Sequence, residues 1–490
     1  MNTSYAQLAQ ALQPEIILID GAVLVLAIDL IFGRRRTLAT RLGTSLAVGA
    51  LTLVAALVAS LLTGALGPVY DNGLVLDTLA VAVRSGVLVL GLITLGVAAG
   101  AKLPRHPAEY TAIILFAITG FTLMAAANHL LIGFAALELA SLSLYVLAGF
   151  DKDSPKSAEA ALKYFLLGAM ATAFLLFGFS LIYGLTGQLN LSDIAAVLST
   201  QGGLSPLLGL ALMMVLVAFG FKAAAAPFHL WAPDAYEGAP TPSAALIASA
   251  SKLAGFTLFL RILWPGLGHL SGDISHAGNP AGWLTIVALL SLASLLLGNL
   301  AALAQTNLRR LLAYSAIAHT GVMLLGVMSA QISGVGPLFF YLSTYAVATA
   351  GAFGVIAVLE RNGGCERITD LAGLGKRSPL LAGCLAIFIL SLAGIPPLAG
   401  FFGKFAIFAA SLQINGVSSP AGWLTMLAIA LSAVALYYYL IVLKQALVAP
   451  PAPDRATPIR VPLATTLTLL ICAELIVLFG LVPSLLLDLF

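Results

Sequence analysis

The stretch Leu216–Leu260, LVAFGFKAAAAPFHLWAPDAYEGAPTPSAALIASASKLAGFTLFL, decides the architecture. An apolar run leads into a proline-rich polar interruption, and a second apolar run follows. Each run holds one lysine, Lys222 in the first and Lys252 in the second. About ten mostly apolar residues flank Lys252 on either side, which puts it near mid-membrane if the run spans. A central lysine costs about 2.5–3.5 kcal/mol on insertion scales, and a membrane protein that keeps one usually uses it on an ion path.

The composition around this stretch agrees. Of 490 residues, 60% are hydrophobic and 9% charged, and the mean hydropathy is +1.05. A soluble domain carries roughly 25% charged residues. The expected fold class is therefore an all-α polytopic membrane protein, packed helix on helix. The net charge of +3 says little, and no basic patch suggests nucleic acid. Cys365, Cys384 and Cys472 lie far apart without ligand spacing and read as structural. Haem, iron–sulfur or metal ligation finds no support in that pattern. No cleavable signal peptide, inserted soluble domain or long C-terminal extension is expected.

Windows of about 20 apolar residues predict about fourteen spans. The first six are Ile16–Phe32, Leu38–Leu62, Leu76–Gly100, Tyr110–Ala127, Leu130–Phe150 and Ala158–Tyr183. The seventh starts near Leu207 and breaks at Pro227, and the eighth is Ser243–Leu263. Then come Trp283–Ala304, Leu308–Met328 and Leu338–Leu359, and a twelfth from Leu380 that breaks at Pro396 and Pro397. Trp423–Leu447 and Leu463–Leu487 complete the set. Cytoplasmic loops carry the basic residues. Arg34, Arg35, Arg36, Arg41, Lys102, Arg105, Lys152, Lys156, Arg309, Arg310, Arg361, Arg367, Lys376, Arg377, Lys444, Arg455 and Arg460 all fall on one set of alternate loops. Of that set, only the loop between the seventh and eighth spans has no basic residue. The opposite loops, Gly184–Ser205 and Gln331–Gly336 among them, have none, with Arg261 the exception. The pattern predicts both termini on the periplasmic side of a bacterial inner membrane.

The two broken spans stand five apart. An odd offset means opposite directions across the membrane, so the pattern predicts two inverted five-helix repeats. Broken helices at corresponding places in inverted repeats point to a transporter's ion site. Proline removes an amide donor and frees a carbonyl one turn back, tolerable at membrane depth only inside protein or beside water. The expected organisation is an N-terminal three-helix segment (1–108), a first repeat (109–265), a second (280–448) and a C-terminal helix (449–490). The symmetry is not residue for residue, because Lys222 precedes its break whereas Lys404 follows the other.

The intramembrane charges are the candidate site. Glu138, mid-span in LLIGFAALELASLSLYVL, reads either as a neutral acid bonded to a neighbouring helix or as a carboxylate paired with a lysine, for which Lys222 is the obvious partner. Lys222 is close enough to a helix end to snorkel, whereas Lys252 is not. Lys163 near a helix start also suits snorkelling. His319 reads as a core histidine or a proton relay, and His229, just past the first break, as a group lining a cytoplasmic access path. Asp77 and Arg84, seven residues apart, suit a structural pair. Asp20, Asp29 and Glu474 have no assigned role. Buried lysines shift their pKa readily, so a row of them with carboxylate and water between forms a proton wire.

Three strings, FKAAAAPFHLWAPDAYEGAPTPSAA, SAEAALKYFLLGAMATAFLLFGFSLIYG and SLAGIPPLAGFFGKF, resemble the antiporter-like subunits of respiratory complex I, the proton-pumping NADH:quinone oxidoreductase. The likeness covers nearly the whole chain. Within the family it looks like the subunit N type, since lysine at 404 argues against the M type and the missing lateral helix against the L type. The resemblance implies a proton-translocating subunit of a translocase, with fourteen helices in two inverted five-helix repeats. It implies that Glu138 and Lys222 form the family's pair, Lys252 the central lysine and Lys404 the one toward the periplasmic exit. Lys163 and His319 would be relay positions. It implies no cofactor in this chain, with NADH, FMN, Fe–S clusters and quinone held by partner subunits of the complex. A subunit of an Mrp-type cation/proton antiporter is the alternative, and a non-transporting membrane scaffold leaves the costly charges unexplained.

Overall fold

The computed structural model describes residues 5–33, 36–102, 105–200, 203–273, 282–451 and 457–490. Arg34, Arg35 and Arg455 of the loop pattern lie outside the described residues. An N-terminal turn of helix, α1 (Tyr5–Ala11), precedes α2 (Gln13–Phe32), α3 (Leu38–Thr63) and α4 (Thr78–Gly100). Then follow α5 (Pro107–Ala126), α6 (Leu130–Ala148), α7 (Pro155–Thr186), α8 (Leu191–Thr200) and α9 (Pro206–Ala223). After the first break come α10 (Trp231–Gly238), α11 (Thr241–Ala248), α12 (Ala250–Arg261), α13 (Trp283–Leu303), α14 (Leu308–Ser333) and α15 (Gly336–Arg361). The chain continues through α16 (Leu374–Arg377), α17 (Pro379–Ala393), α18 (Ala399–Asn415), α19 (Pro420–Leu443), α20 (Leu463–Leu481) and α21 (Ser484–Leu487).

Every predicted span has its helix. Twelve described helices are long and apolar enough to cross a membrane. The other two spans are α2, which carries Glu15, Asp20 and Asp29, and the twelfth, divided into α17 and α18. Three features depart from expectation. A three-residue hairpin, β1 (Gly67–Val69) with β2 (Leu74–Leu76), precedes α4. The segment read as loop between the sixth and seventh spans contains α8. The eighth span is not continuous, because Ser249 at φ −115°, ψ −86° separates α11 from α12. The Ser249 hydroxyl donates to the Ala245 carbonyl at 2.6 Å, a back-bond that often bends a helix.

Local sequence sets the helix starts. Four helices, α7, α9, α17 and α19, open on Ser-Pro. The serine hydroxyl accepts from a first-turn amide, as Ser205 does from Leu208 at 3.2 Å, and proline takes a position whose amide would be unpaired anyway. Packing then sorts the helices. In the segment Thr241–Gly266 all of the apolar window is buried, against a third of it in α7. The Lys252 helix thus stands at the centre, walled by α4, α5, α9 and α15, while α3, α7, α19 and α20 present leucine, valine and phenylalanine outward.

Candidate functional site: a row of buried amines at two helix breaks

The first break begins at Ala224, whose left-handed backbone (φ 56°) ends α9. The amide of Ala224 donates to Phe221 O at 3.0 Å and that of Ala225 to Gly220 O at 2.8 Å. The second break repeats the pattern at Gly394 (φ 86°), with Gly394 N–H to Ser391 O at 3.0 Å and Ile395 N–H to Leu390 O at 3.1 Å. Groups freed beyond these turns find side-chain partners, as backbone buried at membrane depth requires. At the first, Ala226 N–H donates to Ser294 Oγ at 2.9 Å, Trp231 Nε1 donates to Phe221 O at 3.0 Å, and Thr320 Oγ1 donates to Ala223 O at 2.9 Å. At the second, Gly400 N–H donates to Ser391 Oγ at 3.1 Å.

The three amines sit against these breaks, each at most 6% exposed. Lys252 donates to Ala316 O and to Thr320 Oγ1, both at 2.7 Å, and lies 5.5 Å from the centre of the Tyr345 ring. Thr320 therefore joins Lys252 to the open carbonyl of the first break. Lys404 needs no such link: it donates to Leu392 O at 3.0 Å and Ala393 O at 3.1 Å, the carbonyls at the broken end of α17. An ammonium there meets the negative end of a helix dipole. Lys222 donates to Ser141 Oγ at 3.1 Å. Lys222 and Lys252 line one narrow crevice with Gly255, Phe256 and Phe259, too tight for a free water.

The expected Glu138–Lys222 contact is not direct. Among the described ion pairs none joins them. The half-buried Glu138 accepts instead from Thr172 of α7 at 2.8 Å. Ser141 lies one turn along α6 from Glu138, so the amine and the carboxylate share a helix face through that hydroxyl. His319 is 4% exposed and has a phenol at each ring nitrogen, Tyr341 at Nδ1 (2.5 Å) and Tyr439 at Nε2 (3.0 Å). It shares a small cavity with Lys404, Asn299 and Tyr438. His229 is half-buried just past the first break.

Lys163 lies apart from the row. Its side chain is 43% exposed and pairs with Glu159 and Asp234, both at 2.6 Å. Asp234 also meets Arg310 (2.7 Å), which reaches Glu237 (3.0 Å), and Lys156 bridges Glu237 and Glu366. This surface cluster belongs to the ends of α7, α10 and α14. The Asp77–Arg84 pair is likewise replaced. Asp77 caps α4 by accepting from Ala80 N–H and pairs with Arg261 at 2.5 Å. Arg84 pairs with Glu15 at 2.9 Å, both nearly fully buried. Asp29 forms a two-pronged pair with Arg41 at 2.8 and 2.6 Å. Asp20 and Glu474 face outward. Sequence reasoning missed Thr320, Ser141 and the two phenols, because ordinary threonine, serine and tyrosine in an apolar helix carry no signal of their partner.

Two broken helices with lysines at their ends, inside a fourteen-span bundle, define an antiporter-like membrane protein, and residues 127–434 match the family described as NADH:quinone oxidoreductase/Mrp antiporter, TM. The "NADH-quinone oxidoreductase subunit N 2" of Acidobacterium capsulatum is 47% identical, over 99% of this chain and 98% of that one. A chain of respiratory complex I from Thermus thermophilus superposes with a TM-score of 0.79 at 34% identity, covering 97% of this chain and 98% of that one. A chain of the Mrp complex from Dietzia sp. shares the fold, with a TM-score of 0.79 at 24% identity and coverage of 99% and 96%. The chain belongs to the NADH-quinone oxidoreductase subunit N family.

Proposed function

We propose that this chain is a proton-translocating membrane subunit of an NADH:quinone oxidoreductase in the bacterial inner membrane. The observation that carries the reading is the row Lys222, Lys252 and Lys404, buried at the two helix breaks with His319 between the halves. A fixed charge at such depth is expensive, whereas an amine that gains and loses a proton uses the site. Glu138, Lys222, Lys252 and Lys404 carry out proton transfer. His319 serves as relay, and Lys163 and His229 act at the uptake side. The redox steps belong to other subunits of the complex, which hold NADH, FMN, Fe–S clusters and quinone, and neighbouring antiporter-like subunits flank this one. The fourth to eighth spans (109–265) and the ninth to thirteenth (280–448) form inverted repeats, and both termini face the periplasm. The Mrp antiporter reading rests on the shared family description and on a fold match at 24% identity, and is the weaker.

Lys252→Arg in the assembled complex tests this. Arginine keeps the positive charge but cannot release a proton. Proton uptake into vesicles driven by NADH oxidation falls by about 10²-fold or more through this subunit if Lys252 carries the proton. Near-normal pumping by intact Lys252→Arg complex leaves only a counter-charge and removes the proposal.

A further inference from the structure

His319 does not end in a generic polar pocket. Its Nδ1 lies 2.5 Å from the Tyr341 hydroxyl of α15 and its Nε2 3.0 Å from the Tyr439 hydroxyl of α19. The Tyr439 hydroxyl is in turn hydrogen-bonded to Ser315 Oγ, one turn back along α14. Tyr341, Tyr439 and Ser315 are all at most 1% exposed. A neutral imidazole has one N–H donor and one acceptor nitrogen. One phenol must therefore donate to the ring and the other must accept from it, whichever tautomer is present. A hydroxyl both donates and accepts, so Tyr341, His319, Tyr439 and Ser315 form one directional chain with two opposite settings.

The place of this chain is as specific as its bonding. Tyr345, one turn from Tyr341 on α15, has its ring 5.5 Å from Lys252 Nζ and 5.0 Å from the His319 ring. On the other side His319 and Lys404 line one cavity. Tyr341 packs on Gly403, the residue before Lys404; a Cβ there would lie 2.7 Å from the Tyr341 ring. The imidazole and its phenols thus occupy the space between the Lys252 half and the Lys404 half.

We propose that Tyr341 and Tyr439 are proton-passing residues, each handing a proton to or from one nitrogen of His319. The assignment rests on the proton-translocating reading above. Written from Tyr341 toward Tyr439, a proton arriving at the Tyr341 oxygen displaces that phenol's own proton onto Nδ1. The imidazolium so formed releases its Nε2 proton to the Tyr439 oxygen, whose own proton passes to Ser315 Oγ, and the serine's original proton goes to a water molecule. One proton enters and one leaves; no electron moves. The tautomer and the hydroxyls end in the opposite setting, and their rotation back resets the chain.

The test uses the whole complex in proteoliposomes, with NADH oxidation and proton uptake read together in H2O and D2O. Tyr341→Phe and Tyr439→Phe keep ring and volume and remove the hydroxyl. Each is expected to slow transfer through this subunit by about 10²-fold, and the double variant is no worse than the poorer single, as serial links require. Tyr110→Phe, which loses a buried phenol bond to Ser243 in the other half of the molecule, measures the cost of losing such a bond without touching the chain. Incorporating fluorotyrosine at 341 or 439 keeps ring and hydroxyl but makes the phenol more acidic. If the phenols pass the proton, the pH profile of pumping moves to lower pH and the solvent isotope effect changes. An unchanged profile and isotope effect with fluorotyrosine overturn the proposal, even if the phenylalanine variants fail to assemble. Lys252→Met runs alongside. Its normal pumping would sink the proton-translocating reading itself, whereas impaired Lys252→Met with normal tyrosine variants sinks only this assignment.

Discussion

The two helix breaks have the same turn and different electrostatics. Both end on a left-handed residue, whose own amide and the next are bonded back into the last turn. At the second break the amine of Lys404 sits directly on the freed carbonyls of Leu392 and Ala393. At the first, a neutral hydroxyl stands between: Ala223 O accepts from Thr320, and Thr320 accepts from Lys252. An ammonium on a helix C-terminus is held by the dipole, so the charge of Lys404 is offset by the end of its own broken helix. Lys252 faces one carbonyl and one hydroxyl, and shares a crevice with a second amine, Lys222. One backbone motif, repeated, is tuned by the single side chain placed on its open carbonyl.

Among changes at the two breaks, the largest effect should come from Thr320→Val. The methyl group fills the space of the hydroxyl, leaving the Ala223 carbonyl and one Lys252 donor unpaired. A buried unpaired group costs about 1–3 kcal/mol, and each ~1.4 kcal/mol added to a transfer barrier is about tenfold in rate. Ser391→Ala at the second break removes the Gly400 amide's acceptor but leaves both Lys404 contacts in place. Proton uptake should fall about tenfold in Thr320→Val and stay near wild type in Ser391→Ala. The reverse order would break the comparison.

A smaller effect separates the two turn residues. An alanine Cβ at 394 would lie 3.2 Å from Lys404 Cδ and 3.3 Å from its Nζ, at φ +86°. Gly394→Ala should destabilise by about 1–2 kcal/mol, the penalty of a left-handed residue with a Cβ, and displace the amine as well. Ala224→Gly relieves the same penalty at the first break but adds about 0.5–1 kcal/mol of unfolded-state entropy, so its net effect should be a stabilisation of roughly 0–1.5 kcal/mol. Thermal unfolding of the detergent-purified complex checks both; equal shifts for the two would remove the distinction.

The smallest effect concerns helix starts. His129, in the loop before α6, caps it by accepting from Leu131 N–H through Nδ1 at 3.2 Å. Its proposed counterpart in the other repeat is Asn307, which caps α14 by accepting from Arg309 and Arg310 amides. Burial lowers the His129 pKa below the usual histidine value. A histidine with a lowered folded pKa contributes stability that is full above its unfolded pKa of about 6.5 and is lost as pH falls toward the folded value. Protonation also turns the capping acceptor into a donor. Melting between pH 7.5 and 5.5 should therefore show a small downward slope that His129→Asn abolishes; a slope unchanged in that variant would show that the cap does not titrate. These pH limits bracket the reference histidine value of about 6.5.

The residues that could be read ahead of the structure share a property: their signal is local. Pro227, Pro396 and Pro397 announce the breaks because proline chemistry acts on its own turn. Lys252 announces burial because apolar length on both sides leaves no route to water. Asp77 and Arg84 misled because seven residues suggests one helix face, whereas Asp77 lies outside the helix as its cap and Arg84 turns to Glu15 on α2. Lys163 could not be placed from its own helix. A helix start near a surface admits more than one environment, and the ion cluster that Lys163 joins draws Asp234 and Arg310 from other elements. Tyr341 and Tyr439 were invisible beside His319, lying 22 and 120 residues from it.

By itself the sequence determined the solvent, the spans, the two breaks and the chemical type of the buried groups. Each of these follows from apolar run length, proline, and the cost of a charge in hydrocarbon. Only the tertiary structure decided which carbonyl, hydroxyl or ring each charge meets: Thr320 for Lys252, the α17 end for Lys404, Ser141 for Lys222. The physical reason is that these helices are apolar nearly all round. A soluble helix declares its inward face by an amphipathic stripe, but in a bilayer lipid and core are equally apolar. The rotation of each helix, and with it the partner of each polar group, is then fixed by side-chain packing and hydrogen bonds between segments far apart in the chain.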